Sequence, residues 1–262
     1  MKKTLFKTLL IAGGLFYGAC LHAQGYKEVA RIPNRLATQA AVVGGGYLYA
    51  VSNRCIVKYT LEGDSLAEWR ETDAEAIIHM NSGFVEDGRL YCVNSNYPRI
   101  PMASSIEIFD AQTLEHLSSV SLGIRYGSCT WMVRKGDSWY AFFAHYENYA
   151  RQPGCDVSWS QLVRFDDEWR EQEAWVLPAE LIKRLRPCSL SGGILVDGRF
   201  YCTGHDAAEC YVLELPERGS TLKWTATYPV PFPGQAISMD EQGNLWGIDR
   251  AGGFIIKAAF CE

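Results

Sequence analysis

Asp87-Gly88-Arg89-Leu90-Tyr91-Cys92 and Asp197-Gly198-Arg199-Phe200-Tyr201-Cys202 are two copies of one unit, a tight turn followed by an aromatic-rich strand. Related units occur at three further places, Gly44-Gly45-Gly46-Tyr47-Leu48-Tyr49, Gly136-Asp137-Ser138-Trp139-Tyr140 and Gln242-Gly243-Asn244-Leu245-Trp246. The copies follow one another at intervals of roughly 40 to 60 residues, which is typical of β-propeller blades. The repeat therefore predicts an all-β fold with five blades.

The fifth copy lacks a strand, and the start of the chain offers one. Each copy extends into a four-strand pattern, and residues 104–109 alternate polar and apolar as a half-buried strand should. The last copy ends after its third strand, at residues 254–260, whereas residues 26–32 precede the first copy. We therefore expect a five-bladed β-propeller closed by the N-terminal strand, which leaves no exposed sheet edge. The one predicted helix is Ala179–Leu185.

The first residues have the features of an export signal. Three lysines precede a short apolar run at residues 9–16, and Leu21-His22-Ala23 resembles a signal-peptidase site. The sequence predicts a signal peptide over residues 1–23, a single propeller domain over 24–262, and a secreted or periplasmic protein. Lipoprotein anchoring at Cys20 is less favoured, because Phe16 and Tyr17 stand where a lipobox has small aliphatic residues.

Composition limits the partners. The net charge of -5 and the lack of a basic stripe argue against nucleic acid. No later segment is apolar enough for a transmembrane span. Gly44 to Gly46 form a hairpin turn rather than a phosphate loop, so no nucleotide cofactor is expected. We expect a monomer with a small-molecule or carbohydrate ligand.

The cysteines do not form a zinc-ribbon pattern. Eight follow Cys20, and none lies in a C-x-x-C pair. Cys92 and Cys202 occupy the same place in two copies and are expected to be small buried core residues. Cys155 and Cys188 lie in long loops and could pair in an oxidising compartment.

Two sets of positions should converge on one funnel. In a propeller, the inner strands begin on the face where the loop between the second and third strands opens, and ligands bind there. The loop positions are Asn53, Arg54, Ser95, Asn96, Ala144, His145, His205, Asp206, Arg250 and Ala251. The inner-strand positions are Gln39, His79, Asn81, Ser82, Ser128, Thr130, Ser189, Ser191 and Gln235.

Histidine placement is the sharpest signal for chemistry. Residues 24–262 contain four histidines, and His79, His145 and His205 fall at funnel positions. Three facing imidazoles suggest a metal site completed by Gln235, Asp206 or Glu209. The candidate ion is one divalent metal, such as manganese, zinc or calcium.

Two readings of the same histidines need no metal. In one, the rings hydrogen-bond their neighbours and line a polar pocket. In the other, a histidine acts as general acid or base while Arg250 or Arg54 holds an anionic group. A glycosidase is not favoured, because of the candidate carboxylates only Asp206 and Asp249 fall near the funnel positions.

Aromatic and polar residues surround the predicted funnel. Asn96 and Tyr97 lie in the loop 94–102, and a second loop contains residues 146–149 and Trp159. Aromatic rings at such a rim often stack on sugars, although packing between blades explains them equally well. Asn96, Tyr97, Asp206, Gln235, Arg250 and Arg54 are the predicted substrate-binding residues.

Several segments resemble a group of secreted bacterial β-propeller proteins, some of which carry a cycloisomerase label. The segments are His79-Met80-Asn81-Ser82-Gly83, Ser95-Asn96-Tyr97-Pro98, Ser104-Ser105-Ile106-Glu107-Ile108-Phe109-Asp110, Thr203-Gly204-His205-Asp206 and Gly234-Gln235-Ala236. The set of His79, His145, His205 and Gln235 is similar to the metal site of the oligogalacturonate lyase family, which has a seven-bladed propeller. This second resemblance implies that the four side chains bind a metal.

The sequence thus favours an exported enzyme that acts on a small polar substrate, such as a sugar acid or oligosaccharide. The reaction would be elimination, isomerisation or hydrolysis, with His79, His145 and His205 as catalytic residues or metal ligands. The alternative is a non-catalytic carbohydrate-binding propeller that recognises sugars with its rim aromatics.

Overall fold

The protein is a five-bladed β-propeller in a computed structural model that describes residues 24–262. The predicted signal peptide, with Cys20, lies outside the described residues. Within the described part of the chain, no helix is long and apolar enough to cross a membrane.

Each blade is a four-stranded antiparallel sheet. Blade 1 contains β2 (Ala40–Gly44), β3 (Tyr47–Ser52), β4 (Cys55–Tyr59) and β5 (Ser65–Arg70). Blade 2 contains β6 (His79–Glu86), β7 (Arg89–Ser95), β8 (Ser104–Asp110) and β9 (His116–Gly123). Blade 3 contains β10 (Ser128–Lys135), β11 (Ser138–Ala144), β12 (Gln161–Phe165) and β13 (Glu171–Val176). Blade 4 contains β14 (Gly192–Val196), β15 (Arg199–Thr203), β16 (Glu209–Glu214) and β17 (Lys223–Pro229).

Blade 5 confirms the predicted closure. It contains β18 (Ser238–Met239), β19 (Leu245–Asp249) and β20 (Phe254–Cys261), and its outer strand is β1 (Gly25–Pro33). β1 pairs with β20 antiparallel from Gly25 opposite Cys261 to Pro33 opposite Phe254. The ring is therefore closed by hydrogen bonds between the two ends of the described chain.

The recurring unit has a simple physical basis. Its turn residues adopt positive φ at both central positions in Gly45-Gly46, Asp87-Gly88 and Asp197-Gly198. Two consecutive positive φ values define a type I′ turn, which matches the twist of a two-stranded hairpin. The aromatic residue that follows packs against the neighbouring blade. The ring of Tyr91 lies 4.8 Å from that of Trp139, and the Tyr49 hydroxyl donates to the Ala111 carbonyl.

Polar side chains also join neighbouring blades near the central channel. The Asn81 amide donates to the Cys129 carbonyl at 2.8 Å, linking blades 2 and 3. The Thr130 hydroxyl donates to the Leu190 carbonyl at 2.8 Å, where the chain enters blade 4. These bonds satisfy buried main-chain acceptors and fix the order of the inner strands.

The inner strand of blade 5 differs from the sequence prediction, whereas the helix agrees with it. The inner strand of blade 5 is Ser238–Met239 and does not include Gln235, which the sequence placed at its start. Gln235 adopts φ 67°, and its amide nitrogen donates to the Gly204 carbonyl of blade 4, which takes it out of the sheet. Leu114 also has a positive φ and lies in the turn before β9. The helix α1 (Ala179–Leu185) has the predicted bounds, and a short 3₁₀ helix covers Val157–Trp159.

Candidate functional site

A cavity of about 600 Å³ lies at the start of the inner strands. It is lined by Gln39, Asn53, Ile78, His79, Asn81, Tyr97, Pro98, Thr130, Tyr146, Asn148, Tyr149, Ser191, His205, Gln235 and Arg250. Most of these residues belong to the two sets that the sequence placed at the funnel, and the aromatic loops supply the others. Ile78 is the lining residue that sequence reasoning missed, because it directly precedes β6 and carries no polar group.

His79 begins β6 and lies in the wall of the cavity. Its main-chain amide donates to the Asn94 side-chain oxygen at 3.0 Å, and its ring centroid lies 5.0 Å from that of Tyr97. The pKa of the imidazole is lowered to about 4, mainly by burial and less by the Arg250 charge, while a hydrogen bond with Asn81 opposes the shift. His79 is therefore a neutral imidazole at neutral pH.

His205 lies on the loop after β15, and neighbouring groups hold both its main chain and its ring. The Gln235 side-chain amide donates to its carbonyl at 2.9 Å. Its Nδ1 atom lies 2.7 Å from the Asp206 carboxylate. The close packing of Gly234 also restrains this loop, because a Cβ atom there would lie 2.4 Å from the His205 carbonyl. Gln235 and His205 line the cavity, whereas Asp206 is not among its lining residues.

His145 does not line this cavity. It is 5% exposed, directly after β11, and its Nε2 atom lies 3.2 Å from the Tyr126 carbonyl. Its Nδ1 atom is buried without a hydrogen-bond partner among the described residues. Burial lowers the pKa of this imidazole as well, so the ring is a neutral packing group beneath Gly127.

The structure does not bring the three predicted histidine ligands to one point. Among residues 24–262, the one group of three histidine, cysteine or acidic side chains whose ligand atoms all lie within 4.8 Å of one another is Cys188, His205 and Asp206. His79 and His145 have no part in it. The Cys188–His205–Asp206 group could hold a divalent metal, and it borders the cavity through His205.

Arg250 is the cationic residue of the cavity lining. No carboxylate of the described chain lies within 4.0 Å of its guanidinium. The carboxylate of the adjacent residue, Asp249, accepts a hydrogen bond from the Gly252 amide and lies 3.9 Å from the Arg31 guanidinium. Arg54 is absent from the lining, and its side chain donates to the Glu71 carbonyl at 3.3 Å. The lining contains neither aspartate nor glutamate. The cavity is therefore suited to an anionic or neutral polar ligand.

Three tyrosines cover one side of the cavity. Tyr97 packs edge-on against Tyr146 at 5.1 Å, and its hydroxyl donates to the Tyr149 hydroxyl at 3.0 Å. Tyr149 is 81% exposed. Asn96 does not line the cavity, because its side chain bonds to the main chain of its own loop at Pro101 and Ala103.

Cys155 and Cys188 are both free thiols, as are the other six cysteines of the described chain. Burial raises the pKa of the Cys188 thiol, and the charge of Asp206 raises it further. Cys92 and Cys202 are fully buried, as the sequence predicts.

The comparisons with known proteins show the fold. No protein-family model matches the chain, and no curated protein matches its sequence. A glutaminyl cyclase from Myxococcus xanthus superposes with a TM-score of 0.62 at 10% identity, covering 91% of this chain and 97% of that chain. The RS223 β-xylosidase superposes with a TM-score of 0.58 at 11% identity, covering 89% of this chain and 95% of that one. At such low identity these similarities show a shared propeller fold, and they carry neither the cycloisomerase nor the oligogalacturonate lyase label.

Proposed function

We propose that this chain is an exported, monomeric propeller enzyme that abstracts a proton from a small carboxylated substrate, such as a sugar acid. The reaction is an elimination or an isomerisation in the central cavity. The observation that carries the proposal is that one cavity contains both Arg250 and the neutral imidazole of His79, and that its lining has no acidic side chain. Among the described residues, no carboxylate lies within 4.0 Å of the Arg250 guanidinium.

Arg250 has the properties of a carboxylate anchor. A guanidinium forms charge-assisted, two-pronged hydrogen bonds with a carboxylate, and these are stronger than neutral ones. Binding in this way also withdraws electron density from the carboxylate, so the neighbouring C–H bond becomes more acidic. The anchor therefore supports both recognition and the first chemical step.

His79 is the proposed base. A ring whose pKa is about 4 is unprotonated at neutral pH, which is the form that accepts a proton. The negative charge of a bound carboxylate would offset the positive charge of Arg250 and so raise the pKa of His79. The substrate thus makes its own base stronger as it binds.

Hydrolysis by paired carboxylates is less well supported. Glycosidases of the usual kind need two acidic side chains flanking the bond that breaks, and the cavity lining supplies none. The similarity to an enzyme named glutaminyl cyclase and one named β-xylosidase supports only the view that this fold can host different chemistries.

The alternative is a carbohydrate-binding protein without catalysis. It is favoured by the tyrosines at the cavity and by the exposure of Tyr149 and Trp159, whose rings are free to stack on a sugar. In that case neutral sugars should bind as well as sugar acids.

Binding and proton exchange together test the proposal. A panel of uronic acids and the matching neutral sugars is titrated calorimetrically against the wild type, Arg250→Gln and the control Arg218→Gln, an exposed arginine outside the cavity lining. Loss of a charge-assisted bond of about 1.5–3 kcal/mol should weaken acid binding by about tenfold to a hundredfold in Arg250→Gln only.

Proton abstraction is read separately by NMR, as exchange of the substrate hydrogen next to the carboxylate in D₂O. His79→Gln should bind the acid but lose the exchange. Exchange that persists in His79→Gln would reject His79 as the base. Equal affinity for acids and neutral sugars, without exchange, would favour the carbohydrate-binding alternative.

A further inference from the structure

The structure brings a thiol, an imidazole and a carboxylate together at the edge of the central cavity. The Sγ atom of Cys188, a ring nitrogen of His205 and a carboxylate oxygen of Asp206 lie within 4.8 Å of one another. In a tetrahedral zinc site with bonds of about 2.0–2.3 Å, the ligand atoms are roughly 3.4–3.8 Å apart. The His205 Nδ1 atom and the Asp206 carboxylate are already 2.7 Å apart, so a zinc ion bound by these two atoms would replace their hydrogen bond.

We propose that Cys188, His205 and Asp206 bind a zinc ion. This site differs from the set of three histidines and a glutamine that the sequence suggested, and it shares only His205 with it.

Two separate parts of the fold bring these ligands together, which makes a chance surface cluster a poor explanation. Cys188 follows helix α1, and its main-chain amide donates to the Leu185 carbonyl at 3.2 Å. His205 and Asp206 lie on the β15–β16 loop, which blade 5 restrains through the bond from Gln235 to the His205 carbonyl. Cys188 lies just before blade 4, and the β15–β16 loop lies within that blade. The folding of blade 4 therefore brings the three side chains together.

The surroundings of the thiol also fit a ligand. Cys188 is 7% exposed, and the Asn148 amide points at its sulfur at 3.9 Å from the long loop of blade 3. An amide that donates to a sulfur from outside the ligand group is a common way to orient a metal-binding thiolate. The Asp206 carboxylate has no lysine or arginine within 4.0 Å in the described chain, so a cation at this position would meet an unneutralised charge.

The donor set favours zinc over the other candidate ions. Calcium and magnesium prefer oxygen ligands, whereas zinc accepts thiolate, imidazole and carboxylate together. Three protein ligands leave a fourth position, which is the pattern of catalytic rather than structural zinc. Since His205 also lines the cavity, the ion would border the substrate and could polarise one of its oxygens. That last role, unlike the binding of the ion, rests on the proposed function.

Cobalt substitution tests the site directly. The full-length mature protein is stripped with a chelator and titrated with Co²⁺, which reports a thiolate ligand by a sulfur-to-cobalt charge-transfer band in the near ultraviolet. The wild type and the control Cys155→Ser should bind about one equivalent with this band, and zinc should displace the cobalt. Cys188→Ser should lose the band.

Asp206→Asn provides a second variant that should fold normally, because the carboxylate is 78% exposed. It should weaken cobalt affinity by at least about tenfold, the usual size of a lost ligand or ligand-orienting group. A wild type that binds no cobalt, or a Cys188→Ser protein that keeps the band, would overturn the zinc site. Either result would leave the Arg250 binding test unaffected, so the two proposals fail separately.

Discussion

His79 gives the most quantitative prediction, because burial alters its acid–base equilibrium strongly. Its pKa is about 4 in the folded protein, against 6.5 for a free histidine. A lowered pKa means that the unfolded chain takes up the proton first. The contribution of neutral His79 to the free energy of unfolding is fully present above pH 6.5 and is lost as the pH falls toward 4. Replacement of His79 by Gln removes this dependence.

The size of the effect follows from the two pKa values. The His79 contribution to the free energy of unfolding should fall by about 2 kcal/mol between pH 7 and pH 5, and by about 3 kcal/mol at pH 4. Urea unfolding of the wild type and His79→Gln at each pH gives this value as the difference between the two curves. The contributions of the other titrating groups cancel in this difference, because both proteins contain those groups.

Histidine NMR provides an independent check on the same group. Residues 24–262 contain four histidines, so assignment by single substitution is practical. The His79 ring should titrate near pH 4 in the free protein and at higher pH with a bound carboxylate. A ring that titrates near 6.5, together with parallel stability curves for the two proteins, would refute the reasoning.

Three stability predictions follow from buried groups outside the cavity. Asp240→Asn should lower the free energy of unfolding by about 2 kcal/mol at pH 7 and leave it unchanged at pH 2. Burial opposes ionisation of the Asp240 carboxyl, but hydrogen bonds to it bring its pKa to about 2. The stabilisation by the carboxylate is therefore lost as the pH falls through that value. Glu107→Gln should lose about 1–3 kcal/mol, because this buried carboxylate accepts from two hydroxyls, whereas exposed Glu173→Gln should change little. Gly193→Ala should lose about 1–3 kcal/mol, since its Cβ would lie 2.5 Å from Trp131. Urea denaturation measures all three, and an unchanged midpoint contradicts the corresponding contact.

The architecture could be predicted from the sequence because it depends on local chemistry that repeats. Asp87-Gly88 and Asp197-Gly198 specify the same type I′ turn, and each is followed by an aromatic residue that packs on the next blade. Closure by β1 followed from counting strands, since the last blade lacked one. The short β18 could not be predicted, because Gln235 leaves the strand and bonds to the Gly204 carbonyl of the neighbouring blade 4.

The candidate site was less predictable than the fold. Counting from the repeat located the cavity, because strand starts and loop positions recur in every blade. It could not decide which way a side chain at a strand end points. His145 illustrates this limit. It lies five residues after Tyr140, whereas Asn53, His205 and Arg250, which line the cavity, each lie four residues after the aromatic residue of their own blade. The His145 ring instead lies against the Tyr126 carbonyl.

Cys188 shows a second limit of the sequence. It was noted only as a possible disulfide partner of Cys155, since no local spacing connects it with His205 and Asp206. Its proximity to them arises from the tertiary contact between the end of helix α1 and the β15–β16 loop. Only the folded chain therefore reveals this group.

If Arg250 anchors a carboxylated ligand in the central cavity, its substitution should remove the preference of the protein for acidic over neutral sugars. The affinities of one uronic acid and its neutral sugar counterpart are measured calorimetrically for the wild type and Arg250→Gln. The wild type should prefer the acid by about tenfold to a hundredfold, and the variant should lose this preference. An equal preference in both proteins would contradict this role of Arg250.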